Sequence, residues 1–357
     1  MPTPDPSRRA YNRVLAAVAT TPWAIEPAAF AAICEVLELR LAGVRLSDDQ
    51  VADRIAAGPG SRDPYEVGGG IAVLPIYGVI VPRANLMTEI SGGTSLQKLG
   101  GALDAAAADP AVSTILLDIN SPGGSVSLVP ETAAKIRAAR ASKPVIAHAN
   151  TMAASAAYWL ASQADEIIVS PSGAVGSIGV LSAHEDESGK WEQQGVHTTL
   201  ISAGRFKTEG NPFEPLTEEA RASIQALVDD FYGQFVADVA KGRGVDRQAV
   251  RGGFGEGRVV FGRHAVTDGM ADRTESFEAT LARLARSGGP RRRGGGAAAD
   301  GVDDPTVEAQ LVAPLANPDS DPDPAAAPAD EQNPQDQQDG EGLERDLDYH
   351  LALRRLP

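Results

Sequence analysis

Cysteine, histidine and aromatic residues are scarce in this chain of 357 residues. The one cysteine, Cys34, excludes a disulfide within the chain, and its apolar neighbours favour a buried structural thiol. The five histidines are scattered, and no Cys/His cluster has the spacing of a metal site. We therefore expect a protein that works in a reducing cytoplasm without a metal or a cofactor.

Long hydrophobic runs are also missing. No stretch of about 18 apolar residues, the length that crosses a bilayer, occurs in the sequence. The chain starts with a polar, proline-containing segment over residues 1–9, followed by an amphipathic stretch. This pattern predicts neither a signal anchor nor a membrane partner.

Negative charge is concentrated in the last part of the chain. The net charge is −16, and between Asp300 and Asp348 fifteen acidic residues face one basic residue, Arg345. This stretch is rich in Pro, Ala and Gln, so it cannot bury enough apolar surface to offset the entropy of ordering. Together with the glycine-rich linker before it, it predicts a disordered, scaffold-like tail over residues 287–357.

Two features of this tail have alternative interpretations. Leucines at helical spacing over residues 343–356 favour a frayed surface helix, and the alternative is a docking helix for a protein partner or for a second tail. The arginine triplet at residues 291–293 lies beside acidic sequence without interleaved aromatic residues. That is a poor footprint for nucleic acid, and we expect no nucleic-acid partner.

Between the two ends, strands and helices alternate along the chain. This order predicts an α/β fold of parallel βαβ units wound right-handedly. The predicted strands cover residues 71–77, 114–119, 144–149, 166–170, 178–182 and 198–202, and the predicted helices cover 96–108, 128–141, 153–162 and 217–241. The last helix carries an apolar stripe from Ile224 to Val239, which is either part of the core or a subunit interface.

A glycine turn follows the predicted strand at residues 114–119. Pro122 precedes Gly123 and Gly124, a combination that forces a tight turn and leaves the backbone N–H groups without shielding side chains. Bare N–H groups near the start of a helix can stabilise a developing oxyanion. Gly123 or Gly124 is therefore a candidate backbone donor.

Ser155 is the candidate nucleophile and Lys207 the candidate general base. Ser155 lies in a run of small residues between a predicted strand and a predicted helix, where its hydroxyl and the Ala156 N–H face one space. A serine needs a base to remove its proton, and a lysine can do so when burial keeps its amine neutral. Lys207 closes the short block that begins at Gly204.

Four ordered blocks resemble the signature blocks of the signal peptide peptidase A family. These blocks are Asn120-Ser121-Pro122-Gly123-Gly124, residues 152–158, residues 176–180 and residues 204–207, and residues 257–272 are similar to the family's closing strand–helix–turn. The resemblance implies a Ser–Lys peptidase with a ClpP/crotonase-like right-handed spiral, active as a homo-oligomer. It further implies Ser155 and Lys207 as the dyad, with an oxyanion hole formed by backbone N–H groups of Ala156 and of Gly123 or Gly124.

A narrower resemblance points to phage head-maturation proteases of the lambda C type. It implies a helical leader (residues 1–66), a peptidase domain (67–286) and the acidic tail. The implied partners are capsid scaffold, portal or capsid precursors, cleaved in the host cytoplasm within the prohead.

Several alternatives remain open at this level. His184 could form a Ser–His–Asp triad with Ser155, and Ser177 could either support Lys207 by a hydrogen bond or be a plain turn residue. The protein could be a housekeeping signal-peptide-type peptidase, a crotonase-like acyl-CoA enzyme, or a non-catalytic scaffold that retains a protease fold. Thioester turnover would favour the acyl-CoA enzyme, and absence of proteolysis would favour the scaffold.

Overall fold

The computed structural model describes residues 22–41, 65–84 and 93–287, which form an α/β architecture. The strands are β1 (Trp23–Ile25), β2 (Glu66–Gly68), β3 (Ile71–Tyr77), β4 (Ile80–Val81), β5 (Thr94–Ser95), β6 (Thr114–Ser121), β7 (Gly123–Ser125), β8 (Val145–Ala154), β9 (Glu166–Val169), β10 (Ala174–Gly176), β11 (Val259–Phe261) and β12 (Arg273–Thr274). The helices are α1 (Pro27–Leu41), α2 (Leu96–Ala108), α3 (Val129–Ala139), α4 (Ala156–Ala161), α5 (Ser188–Gln193), α6 (Glu218–Arg243), α7 (Arg247–Gly253), α8 (Gly262–Thr267) and α9 (Phe277–Ser287).

Parts of the predicted domain plan lie outside the described residues. They are most of the leader (residues 1–21 and 42–64) and the tail from residue 288 onward, with its arginine triplet and its leucine periodicity. The described portion of the leader consists of β1 and α1. The predicted domain boundaries therefore stay predictions.

The larger sheet is built on parallel strands. β3 pairs with β6 and β6 with β8, and β8 pairs in turn with β9 and β10, all in parallel. Helix α2 connects β3 to β6 by way of β4 and β5, and α3 connects β7 to β8. The predicted α/β class with βαβ units is confirmed. No helix in the described ranges has the length and apolar character needed to cross a bilayer.

Helix α2 illustrates how the sequence specifies these crossovers. The Ser95 side chain accepts a hydrogen bond from the Lys98 N–H and so caps the helix. Leu96, Leu99 and Leu103 are buried at helical spacing against the sheet. The predicted helix at residues 96–108 and the predicted strand at residues 71–77 are both confirmed.

Strand β8 is longer than the sequence pattern predicts. The prediction ended this strand at residue 149 and started a helix at Ala153, but β8 continues to Ala154 and α4 begins at Ala156. The register shifts between Ile119 and Asn120, and beyond the shift β8 pairs with both β6 and β10. Strand pairing in the core thus outweighs the helix propensity of the alanines, and the predicted helix start at Ala153 is wrong.

Two further predicted strands are wrong. Residues 178–182 form only one isolated bridge, between Leu181 and Trp23, and the strand of this region is β10, a few residues earlier. Residues 198–202 have no regular structure, and their side chains are exposed. A β-branched run does not stay a strand where no neighbouring strand completes its hydrogen bonds.

Helix α6 confirms the prediction at residues 217–241, with the Thr217 side chain capping the Ala220 N–H. Its second half packs on α4: the Phe235 ring stacks on Trp159 with centroids 4.5 Å apart, and the Trp159 indole donates to Asp238 at 2.9 Å. In the second half of α6 the apolar stripe therefore belongs to the core. In the first half, Leu227 remains 45% exposed.

We predict that Phe235→Ala lowers the free energy of unfolding by about 3–5 kcal/mol, because it removes a fully buried ring and leaves a cavity beside Trp159. Chemical denaturation measures the effect. Leu227→Ala, on the exposed half of the same stripe, is the matched control and should change stability by less than about 1 kcal/mol. Equal losses in the two variants would contradict the division of the helix into a packed half and an exposed half.

Candidate active site

Ser155 occupies the turn between β8 and α4 with a strained backbone. Its φ is 54° and its ψ is −118°, a conformation that favours glycine. The surrounding structure holds it there, because the Ser155 N–H donates to Gly176 O at 2.6 Å and the Ser155 carbonyl accepts from Trp159 N–H at 2.9 Å. A strand–turn–helix junction of this kind presents one side chain at the end of a sheet.

The Ser155 hydroxyl is buried but weakly held. Its Oγ lies 3.4 Å from Gly179 O, which is long for a hydroxyl hydrogen bond. The residue is 1% exposed. Within the described part of the chain, no side chain hydrogen-bonds this oxygen. The hydroxyl therefore remains available to a base or to a substrate.

The glycine turn meets the Ser155 turn at backbone distance. A Cβ atom on Gly123 would lie 2.3 Å from Ala24 O and 3.0 Å from Ala156 N, and Gly123 itself has a φ of 98°. A Cβ atom on Gly124 would lie 1.9 Å from Ile80 O. Only glycine fits at either position, because a Cβ atom would collide with backbone atoms of a neighbouring segment.

The two backbone amides of interest at this point are those of Ala156 and Gly124. Ala156 is the first residue of α4, so its N–H has no acceptor within the helix. Gly124 pairs with Ala24 across an antiparallel ladder, two residues along from the bond between Glu26 N–H and Pro122 O at 2.8 Å. Because such ladders repeat every two residues, this register directs the Gly124 N–H at Ala24 O.

Gly123 differs from Gly124 in this respect. Its N–H donates to the Ser121 hydroxyl at 3.2 Å, and that hydroxyl donates to Gly78 O. The amide of Gly123 is therefore occupied within the turn. The Gly123 amide thus has its partner inside the turn, whereas the register gives the Gly124 amide a partner on β1, the Ala24 carbonyl.

Ser177 lies beside this site. It follows Gly176, the acceptor of the Ser155 N–H, and it also has a positive φ, 53°. Its N–H donates to Arg258 O at 2.9 Å, which joins it to the strand β11 region, and the residue is 5% exposed. This arrangement ties the backbone next to the Ser155 turn to the β11 region.

Lys207 is not brought to Ser155 within one chain. Its side chain is exposed, and its backbone N–H donates to Gly204 O at 3.2 Å. The segment around it is exposed as well, with Ile201 97% and Phe206 51% accessible. In the described part of the chain, no hydrogen bond or ion pair joins the Lys207 amine to another group.

His184 does not form a triad with Ser155 in this structure. Its Nε2 lies 3.2 Å from Asn211 O, and Asp186 is a charged neighbour of the ring. No hydrogen bond connects this imidazole to the Ser155 hydroxyl. The geometry gives no support to the Ser–His–Asp alternative.

A buried polar pair, Asp118 and His148, was missed by the sequence analysis. The two residues are register partners on β6 and β8; Tyr77 donates its hydroxyl to Asp118, and His148 Nε2 lies 3.2 Å from Glu275 O. Burial raises the pKa of Asp118 and lowers the pKa of His148. The only available signal was one acidic and one imidazole side chain within otherwise apolar strands.

No group of three or more His, Cys, Asp or Glu side chains is placed to hold a metal ion anywhere in residues 22–41, 65–84 or 93–287. The chemistry that the site can perform with its own groups is nucleophilic. It has one hydroxyl on a strained turn, and two glycines bring other backbone segments close beside that turn.

Comparison with known proteins gives a family match for this region. Residues 137–289, somewhat less than half of the chain, match the family model of peptidase family S49. The resemblance inferred from the four sequence blocks is confirmed. The matched region contains Ser155, Ser177 and Lys207, and it begins after the glycine turn.

Three curated relatives illustrate the similarity. The chain is 38% identical over 215 residues to Capsid assembly protease C of Escherichia phage lambda, covering 60% of this chain and 48% of the relative. It is 34% identical over 301 residues to Head-tail preconnector protein GP5 of Enterobacteria phage P21, covering 81% and 60%. It is 30% identical over 225 residues to Protease 4 of Salmonella typhi, covering 63% and 35%. The chain thus spans about half of the length of these relatives.

Among solved structures, the match to ClpP1 N165D mutant from Listeria monocytogenes covers 57% of this chain and 91% of the ClpP1 chain, at 14% identity and a TM-score of 0.35. An enoyl-CoA hydratase/carnithine racemase from Magnetospirillum magneticum covers 62% and 71%, at a TM-score of 0.37. Scores at this level add nothing to the argument from strand pairing.

We predict that Ser155→Gly is more stable than Ser155→Ala by about 1 kcal/mol. A positive φ with this ψ costs about 1–3 kcal/mol for a residue with a Cβ atom, more than the extra chain entropy that glycine loses on folding. Thermal and chemical unfolding of the two variants measure the difference, and both variants lack the hydroxyl. Greater stability of the alanine variant would show that this turn is not strained.

We predict a loss of stability in acid that depends on His148. The folded-state pKa of this ring lies below its ordinary 6.5, so its contribution is present above pH 6.5 and is lost as the pH falls through the folded pKa. Asp118, whose pKa is raised by burial, has the opposite effect: its protonation favours the folded state as the pH falls. Unfolding followed between pH 8 and pH 5 should show a weaker decline in His148→Gln. The exposed His264→Gln is the control, and an unchanged decline in His148→Gln would contradict the assignment.

Proposed function

We propose that this chain is a serine endopeptidase in which Ser155 is the nucleophile and Lys207 is the general base. The observation that carries the proposal is the meeting of two turns: the strained Ser155 turn and the glycine turn, which leave amides around one small space. The peptidase family S49 match supports peptide-bond hydrolysis as the reaction.

In this proposal the oxyanion is held by the N–H groups of Gly124 and Ala156. The register of β1 and β7 aims the first amide at Ala24 O, and the second amide lies on the same side of Gly123. Gly123 keeps the space open because it has no side chain. Preorganised amides of this kind stabilise the tetrahedral intermediate, and removing one donor typically reduces the rate by about 10²–10³.

The exposed position of Lys207 leads to a specific requirement. A lysine accepts a proton only in its neutral form, and burial favours that form. Because Ile201 and Phe206 are exposed apolar neighbours of Lys207, we infer that this segment packs against a second copy of the chain. Each site then pairs Ser155 of one copy with Lys207 of another, which makes the homo-oligomer the active form.

The reaction follows as acyl transfer. The neutral Lys207 amine takes the Ser155 proton while Oγ attacks the scissile carbonyl carbon, and the oxyanion forms between the Gly124 and Ala156 amides. The lysine then protonates the leaving amine. A water molecule, deprotonated by the same lysine, hydrolyses the acyl-enzyme and regenerates Ser155. Ser177 positions the Ser155 turn through the strand beside it.

The biological role that we propose is prohead maturation of a phage. The similarity to Capsid assembly protease C and to Head-tail preconnector protein GP5 supports this role. The protein substrates would be capsid scaffold, portal or capsid precursors, cleaved in the host cytoplasm. The acidic tail, residues 287–357, would recruit the peptidase to these precursors.

We predict that Ser155→Ala and Lys207→Ala each abolish casein cleavage, and that co-expression of the two inactive chains restores it. In a random mixture about a quarter of the sites combine an intact serine with an intact lysine from a neighbouring copy. Activity should therefore return to about 25% of the wild-type value. Dyads formed within single chains would give no restoration, and that result would overturn the intersubunit pairing.

Control variants distinguish the loss of a general base from the loss of the oligomer and from a role of His184. Lys207→Arg should be inactive, since an arginine stays protonated, while size-exclusion chromatography shows an unchanged oligomer. His184→Ala should keep most of the activity. An inactive His184→Ala with an active Lys207→Ala would overturn the Ser–Lys assignment, and thioester hydrolysis without proteolysis would indicate an acyl-CoA enzyme.

A further inference from the structure

Strand β1 lies between the two backbone segments that flank Ser155. On one side it pairs antiparallel with β7, the strand of the glycine turn. On the other side Trp23 forms two hydrogen bonds with Leu181. The Trp23 N–H donates to Leu181 O at 2.8 Å, and the Leu181 N–H donates to Trp23 O at 2.9 Å. Trp23, Ala24 and Ile25 are 7%, 0% and 3% exposed. The strand therefore fills a cleft lined by backbone on both edges.

The Ala24 carbonyl marks the position of a scissile bond. The ladder register points the Gly124 N–H at Ala24 O. A Cβ atom on Gly123 would lie 2.3 Å from Ala24 O and 3.0 Å from Ala156 N, so the Ala156 amide is in the neighbourhood of this carbonyl. Ala24 O thus faces one of the two proposed oxyanion donors and lies near the other.

We propose that β1 is a substrate of its own chain and that the Ala24–Ile25 peptide bond is a self-processing site. This inference rests on the function proposed above. An extended peptide bound by β-augmentation presents its carbonyls at fixed positions along the ladder, and in β1 the carbonyl at the oxyanion position belongs to Ala24.

The bond changes are those of ordinary hydrolysis. Ser155 Oγ bonds to the Ala24 carbonyl carbon, the bond from that carbon to the Ile25 nitrogen breaks, and the proton removed from the hydroxyl passes to the new Ile25 amine. Water then releases Ala24 as a carboxylate and restores the hydroxyl. Residues 1–24 leave, and the cleft that β1 filled becomes open to other peptides.

Specificity for a small residue follows from the packing of Ala24. Its side chain is fully buried in the core cluster of the peptidase, together with Ile80 and Val126. A larger side chain at this fully buried position would have to displace its neighbours, which would shift the Ala24 carbonyl from the Gly124 amide. We therefore assign the class of preferred peptide as extended segments with alanine, or a residue of similar size, before the cleaved bond.

The test uses the full-length chain. Intact-mass analysis and N-terminal sequencing of the incubated wild type should show a new terminus at Ile25, which is absent in Ser155→Ala. Ala24→Leu should slow this cut by at least about tenfold, because misplacing the reacting carbonyl disrupts the attack geometry. Ala28→Leu, exposed on α1, is the matched control and should cut within about twofold of the wild-type rate.

A peptide arm keeps the test independent of how the variants fold. A synthetic peptide of residues 18–30, added to the wild-type enzyme, should be cut between Ala24 and Ile25. If Ser155-dependent casein cleavage occurs while neither chain nor peptide is cut at that bond, the self-processing site is wrong and the proposed function stands. If Ser155→Ala still cleaves casein, the proposed function fails, and this inference fails with it.

Discussion

Backbone packs directly on backbone at Gly123 and Gly124, and the geometry of the site depends on that close approach. The atoms that a side chain would displace are Ala24 O, Ala156 N and Ile80 O, so the turn can meet three other segments at once only because it has no Cβ. Strands β1, β7, β4 and β5 form a second, four-stranded sheet, and the contact joins this sheet, through β7 and β4, to the start of α4. The position of the Ala156 amide is thereby set relative to the Gly124 amide.

The strained Ser155 turn is the second half of the same arrangement. Ser155 is anchored to Gly176 on one side and leads directly into α4, whose six residues are all buried. The core behind it is locked by Trp159 and Phe235, and by Arg243, which binds both oxygens of Asp272 at 2.9 and 3.1 Å. The strained backbone conformation of Ser155 persists because the rigid structure around it allows no other conformation.

Other parts of the molecule are organised in the opposite way. The segment around Lys207 is exposed and without regular structure, and the first half of α6 leaves Leu227 accessible. The proposed site, with its nucleophile on a rigid turn and its base on an exposed segment, would become complete only when that segment is covered. Assembly of several copies would then control activity, which suits a peptidase whose proposed substrates belong to a large assembly.

Local patterns in the sequence determined much of this protein. Hydrophobic periodicity and capping residues gave β3, α2 and α6 close to their observed limits, and the four sequence blocks gave the resemblance that the family match over residues 137–289 confirms. Tertiary structure alone decided the rest. The extension of β8 through Ala154 depends on pairing with β6 and β10, and the exposure of residues 198–202 reflects the lack of any neighbouring strand. The pairing of β1 with the glycine turn joins residues about 100 positions apart, and a local pattern cannot encode it because strand register is set by the partner strand.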